Sequence, residues 1–280
     1  MKRIFTHSLV FLLLSVLLLS GCKETKSTSN TKELKFITLE YHDTAYIKGN
    51  EENLFDEAMP QTVDFIVDYP SGNSQLSLAI QEWINEQISN FFYEEGRDST
   101  IFYETELSDG NNLLSYYGKN ISKDFEQKEE GNIVLPKSFS MIIKKIFDNQ
   151  HCVTYEIEES IYLGGAHGTT TIYGCTFRKT DGRKFGHDML NGKRIEEALK
   201  DGLAQYFGAD NNILDVCWKE KVSEYSIALP YYPPYITNDG IKFIYQQYEI
   251  CPYVFGLPEV TIPLENGAKY LTHTAEKLIR

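Results

Sequence analysis

The sequence predicts an α+β fold: an antiparallel β-sheet with helices packed on one face. Three observations carry this. Residues 152–162 and 169–177 are two runs rich in β-branched and aromatic residues, separated by a connection holding Gly164, Gly165 and Gly168, which reads as a hairpin. Residues 63–69 alternate Val63, Phe65, Val67 and Tyr69 with Asp64, Ile66 and Asp68, the period-two pattern of a half-buried strand. From Leu76 the period changes, and Ile80, Trp83, Ile84, Ile88, Phe91 and Phe92 follow at three- and four-residue steps, the stripe of an amphipathic helix. A doubly wound parallel sheet is disfavoured, because strict strand-helix alternation and a Gly-rich phosphate fingerprint are both missing.

The remaining elements follow in order. Residues 34–47 are rich in β-formers and predict a first strand. The helix beginning near Leu76 takes its cap from Asn73 or Ser74. A second helix follows Asp109 through Leu113, Leu114, Tyr117, Ile121 and Phe125, and core packing is the expectation for its aromatic side chains. Residues 137–147 predict a strand leading into the hairpin, and Asp181-Gly182 predicts a tight turn after it. Ile195, Leu199, Leu203, Tyr206 and Phe207 mark a third helix ending at Gly208, and residues 216–224 add a short turn. Asn238, Asp239 and Gly240 signal a turn into a strand over 241–248, and Pro258 and Pro263 bound an edge strand over 260–262.

The first residues predict an address. Lys2 and Arg3 precede an apolar run over 9–19 that ends in Leu-Ser-Gly-Cys, the pattern of a lipoprotein signal peptide covering residues 1–21, with Cys22 as the lipidated residue. Residues 22–33 then form a polar tether, and the expected location is the bacterial cell envelope, lipid-anchored to a membrane and facing the periplasm or the cell surface. Removing Lys2 and Arg3 from 27 basic residues, against 40 acidic ones, leaves a formal excess of 15 negative charges. That balance argues against nucleic acid, which is bound by Lys and Arg neutralising phosphates, and suits a cationic partner.

Four cysteines follow the anchor: Cys152, Cys175, Cys217 and Cys251. Two disulfides are possible in an oxidising compartment, with three connectivities open, and Cys152 and Cys175 can bridge the hairpin if the register sets them opposite. No pair has metal-ligand spacing, so neither metal nor cofactor is expected. Elbow-serine and papain-like cysteine signatures do not occur, and no catalytic residue is assigned. His167 in the glycine turn forms a polar cluster with Asp181, His187 and Asp188 if the loops at one end of the sheet converge. Tyr231, Tyr232 and Tyr235 lie in a proline-stiffened segment, either as partner anchors or as caps on the core.

Two stretches carry a family resemblance. Tyr-Leu-Gly-Gly-Ala-His-Gly over 162–168, the strand after it and the Asp181-Gly182 turn resemble the extracytoplasmic RsiV-like domain family, the module of a lysozyme-sensing anti-sigma factor. The run Ile-Lys-Phe-Ile-Tyr-Gln-Gln-Tyr-Glu-Ile-Cys-Pro-Tyr-Val-Phe-Gly-Leu-Pro-Glu-Val-Thr-Ile-Pro over 241–263 resembles that family's closing motif, with Cys251 where a small residue is usual. Residues 61–147 are similar to the domain that often precedes it, also found in PdaC-type peptidoglycan deacetylases. The resemblance implies a PdaC-like domain over 34–147 and an RsiV-like domain over 148–280. Only Met1 to Ser8 precede the apolar run, so an anti-sigma switch is not expected, and the zinc motif of a polysaccharide deacetylase is absent. The implied function is non-catalytic binding of lysozyme, another cationic cell-wall hydrolase or a cell-wall component at the envelope. The alternative is a cell-wall hydrolase or deacetylase using the region of His167, Asp181 and His187.

Overall fold

The alternation over residues 63–69 becomes the second strand of a six-stranded sheet, with Val63, Phe65, Val67 and Tyr69 all buried on one face. The computed structural model describes residues 34–47, 58–94, 101–126, 135–208, 216–218, 222 and 227–280. The expected signal peptide, tether and Cys22 lie outside the described residues, as does most of the expected turn over 216–224. Among the described residues no helix is long and apolar enough to cross a membrane.

The large sheet runs β1 (Phe36–Ile47), β2 (Met59–Pro70), β3 (Lys137–Asp148), β4 (Cys152–Tyr162), β5 (Thr169–Arg178) and β6 (Lys184–Phe185), in that spatial order. Every neighbouring pair is antiparallel except β2 and β3, which run parallel from Gln61↔Lys137 to Val67↔Ile143. The parallel pair exists because two helices, α1 (Gln75–Glu94) and α2 (Gly110–Glu126), intervene and carry the chain back across the sheet. Where the pairing stops, the buried Asp68 carboxylate continues it, accepting the Lys145 backbone N–H at 3.1 Å and the Thr38 hydroxyl at 2.8 Å.

Both helices begin as their sequences predict. The Ser77 backbone N–H donates to Ser74 Oγ at 3.0 Å, and those of Asn111 and Asn112 donate to Asp109 Oδ1. Their apolar stripes bury Ile80, Trp83, Ile84, Ile88, Leu113, Tyr117 and Ile121 against the face of the sheet that carries Phe65, Phe139, Tyr155 and Phe177. This is the expected helix layer on one face.

The opposite face is covered at its C-terminal end by a second cluster. It is built from α3 (Glu196–Phe207), a three-stranded antiparallel sheet of β7 (Tyr235–Ile236), β8 (Ile241–Ile244) and β9 (Glu259–Ile262), and two single-turn helices, α4 (Leu264–Gly267) and α5 (His273–Glu276). β9 is an edge strand, as its flanking prolines require. Gly174 on β5 is the contact point between the layers, because a Cβ there would lie 2.7 Å from the Tyr235 ring and 2.9 Å from the Tyr155 carbonyl oxygen. The Ile236 backbone N–H then donates to the buried Thr176 hydroxyl at 3.0 Å.

Two expectations are corrected. The strand expected over 241–248 ends at Ile244, and Gln246 and Gln247 leave the small sheet to bond the edge of β5. The hairpin bridge is ruled out by register: Cys152 pairs with Arg178 and Cys175 with Tyr155, an offset of three residues that places the two side chains on opposite faces of the sheet. No disulfide joins the four described cysteines in this structure. The boundary between residues 147 and 148 lies at the last step of β3, and β3 and β4 pair across the connection that follows.

Candidate functional site

The two stretches singled out in the sequence meet in space at the Thr169 end of β5. In the β4–β5 connection Gly164 and Gly165 take φ of +89° and +116°. A Cβ on Gly168 would stand 2.8 Å from the Ile161 carbonyl oxygen, so all three glycines are required by the turn, though for two different reasons. The Tyr162 hydroxyl closes it on the Gly165 carbonyl at 3.0 Å.

This turn presents the His167 ring to the turn after β8. His167 Nδ1 lies 2.9 Å from the Gly168 carbonyl oxygen, to which it donates, and Nε2 lies 3.2 Å from the Tyr248 hydroxyl. The ring stacks on Tyr253, whose hydroxyl donates to the same Gly168 carbonyl at 3.1 Å. Tyr248 and Tyr253 are themselves 5.6 Å apart between centroids. Tyr248 has φ of +64°, the one non-glycine residue in the left-handed region among those described, and its side chain is 51% exposed. Val254, beside Tyr253, is 82% exposed.

Neighbouring bonds fix this turn from below. The Gln246 side-chain amide pairs with Ile172 at both ends, accepting from its N–H at 3.1 Å and donating to its carbonyl at 2.9 Å, while Gln247 accepts from the Thr170 N–H. These bonds occupy the edge of β5 that β6 leaves open, since β6 pairs only with Thr176 and Phe177. The Glu249 carboxylate accepts the backbone N–H of Gln246 at 2.7 Å and that of Tyr231 at 2.6 Å, which brings the proline-stiffened segment alongside.

The three tyrosines of that segment separate. Tyr231 is 75% exposed, and its backbone N–H is held by Glu249, the residue after Tyr248. Tyr232 stacks on Tyr173 with centroids 4.3 Å apart. Tyr235 is only 1% exposed and donates to Glu156 at 2.5 Å; burial, reinforced by that carboxylate, pushes its phenol far above the usual range. So Tyr232 and Tyr235 cap the core, and Tyr231 alone is available as an anchor.

The cluster conditional on converging loops does not assemble. His167 precedes the first residue of β5 and Asp181 follows its last, and a ten-residue strand spans about 30 Å. Asp181 is held by Arg178, which donates from Nε at 2.8 Å and from a terminal nitrogen. His187 Nε2 lies 3.1 Å from the Pro230 carbonyl oxygen, and Asp188 accepts from Arg183 and the Gly186 backbone. Both nitrogens of His167 are engaged in bonds that position it, and among the described residues no carboxylate hydrogen-bonds its ring. The arrangement offers stacked aromatic faces and hydroxyls rather than a paired acid and base. Sequence reading missed Tyr248 and Tyr253, because they sit in a stretch with strand composition; the Cys-Pro and Phe-Gly dipeptides around Tyr253 were the turn signal available.

A match to known families covers residues 193–265, which fit a family described as "Protein of unknown function (DUF3298)". The matched stretch holds α3, the small sheet and the Tyr248–Tyr253 turn, and stops short of the glycine turn. No curated protein matches the chain. A crystal structure of a DUF3298 family member from Bacteroides fragilis superposes with a TM-score of 0.58 at 20% identity, covering 88% of this chain and 97% of that one. Another from Pseudomonas aeruginosa PAO1 gives 0.52 at 14% identity with the same coverages. At these identities the likeness is one of fold.

Proposed function

We propose that this protein is a lipid-anchored, non-catalytic binding protein of the cell envelope, tethered through Cys22, whose partner is a cationic cell-wall hydrolase of the lysozyme type. The observation that carries the reading is the aromatic surface of His167, Tyr248 and Tyr253 with the exposed Val254 beside Tyr253, while Tyr231 is exposed on the segment that Glu249 holds. Aromatic rings held by their own hydrogen bonds lose little entropy on binding, and Tyr is enriched where interfaces concentrate their energy. The left-handed backbone of Tyr248 keeps a large side chain at the surface at a conformational cost, the kind of strain that gathers at functional turns. The acidic excess supplies the second element, steering a basic protein toward the surface. The resemblance of residues 162–182 and 241–263 to the RsiV-like family, and of residues 61–147 to the PdaC-type domain, agrees with this assignment.

Titration of the immobilised protein with lysozyme, with an acidic protein of similar size as control, tests it. Lysozyme is expected to bind and the control is not, with the association rate falling as salt shortens the Debye length from about 30 Å to about 8 Å. No binding at low salt, or equal binding of both proteins, would overturn the proposal.

A further inference from the structure

Two of the four thiols stand together. The Trp218 backbone N–H donates to the Ile250 carbonyl at 2.9 Å, one residue along from Cys217 and from Cys251, and holds the two stretches side by side. That bond makes Cys217 and Cys251 neighbours across two adjacent backbone segments, the placement a disulfide with its Cα span of about 4.4–6.8 Å needs. Both side chains lie in the second cluster at 5% and 1% exposure, and each thiol shifts the other's ionisation, Cys217 upward and Cys251 downward. Cys152 and Cys175 have no such neighbour, for they point to opposite faces of the large sheet, and burial pushes each thiol up to about 12.

We propose that Cys217 and Cys251 form a disulfide, closed while the chain folds, that clasps the segment after α3 to the turn bearing Tyr248 and Tyr253. The oxidant is a disulfide of the small-molecule or thiol-oxidoreductase class. One of the two cysteines, as its thiolate, attacks one sulfur of that disulfide, forming a mixed disulfide and releasing one thiolate, which takes up a proton. The other cysteine then gives up its proton and attacks the first cysteine's sulfur, displacing the second thiolate. Two protein thiols are oxidised and one external disulfide is reduced to two thiols. Because both sulfurs are buried in the finished fold, the bond closes before the second cluster is complete and is shielded afterwards. This clasp is independent of what the aromatic surface binds.

The test uses the full chain, unfolded, reduced and refolded in a mixture of oxidised and reduced glutathione. Free thiols are blocked with one alkylating label, the protein is reduced, and new thiols take a second label before peptide mapping. The second label is expected on Cys217 and Cys251, found as one cross-linked peptide pair before reduction, with Cys152 and Cys175 carrying the first. First label on Cys217 and Cys251, or a bond joining either to Cys152 or Cys175, would overturn the proposal. The oxidised protein should also melt roughly 5 to 10 °C above the reduced one. The Cys217→Ser/Cys251→Ser double variant should melt alike in both buffers, and an equal redox shift in that variant would count against the pair.

Discussion

The rings of His167 and Tyr253 lie stacked with centroids 4.0 Å apart and planes 23° apart, both tied to the single carbonyl oxygen of Gly168. A glycine turn in one half of the chain and a turn in the other thereby form one surface. If that surface is the partner contact, His167→Ala and Tyr253→Ala should each weaken lysozyme binding about tenfold, close to 1.4 kcal/mol. Since His167 is exposed, its variant should melt within a few degrees of the parent. Undiminished binding by both variants, measured by surface titration, would remove this surface from the proposal.

Within the glycine turn, substitutions at neighbouring positions should differ for a stated reason. Gly165 has φ of +116° and open space where a Cβ would go, so Gly165→Val costs backbone strain alone, about 1–3 kcal/mol. Gly164 has φ of +89° and would also set its Cβ 2.7 Å from Leu135 Cδ1, so Gly164→Val should cost more. Denaturant midpoints in the reverse order would show that Leu135 yields freely.

At the layer contact, Gly174→Ala should destabilise by about 1–3 kcal/mol, the range for overpacking, because neither the Tyr155 backbone nor the buried Tyr235 ring can retreat. Pairing it with Tyr235→Ala should give less than the sum of the two single effects. Strict additivity in that cycle would mean the ring is not what the new methyl meets.

The Arg178–Asp181 pair predicts an acid-side effect. Arg178 hydrogen bonds, helped by the Arg183 backbone N–H, hold the Asp181 carboxyl below its usual 3.8. A folded-state value below the unfolded one contributes stability above the unfolded value, and that contribution is lost as pH falls through the folded one. With side chains 28% and 39% exposed the pair is screened, and the effect should be about 0.5 kcal/mol. Asp181→Asn should therefore lower the melting temperature slightly at pH 5 to 7 and converge with the parent below pH 3. A difference that persists unchanged at pH 2.5 would assign it to something other than charge.

Most of the fold was legible because its signals are local. The alternation of Val63 to Tyr69, the stripe from Leu76 to Phe91 and the cap expected at Asn73 or Ser74 each fall within one element, and each is realised, the cap by Ser74. The parallel pairing of β2 with β3 was not legible, since register between distant segments leaves no periodic trace in either. The strand Tyr235–Ile236 was hidden in the proline-rich segment, and a two-residue strand has no period to read. For the candidate site, the glycine turn drew attention to His167 and the proline-stiffened segment to Tyr231, Tyr232 and Tyr235, while Asp181 and His187 were grouped with His167 by composition and are kept from it by the length of β5. Tyr248 was read as strand because Tyr and Ile surround it; its left-handed backbone comes from the tertiary bonds of Gln246 and Glu249.

The parallel seam between β2 and β3 also dictates an order of assembly. β1 with β2, and β3 with β4 and β5, are meanders that close through short-range contacts, whereas the seam joins segments separated by both long helices. Loop-closure entropy delays such a contact until the helices have formed and docked. During that interval β2 and β3 each present an unpaired edge, central in the finished sheet, to any other chain in the same state. Pulsed hydrogen exchange should find those amides within Val63 to Val67 and Phe139 to Ile143 that point across the seam protected last, after the amides directed to β1 and β4, and refolding yield should fall with chain concentration over that same window.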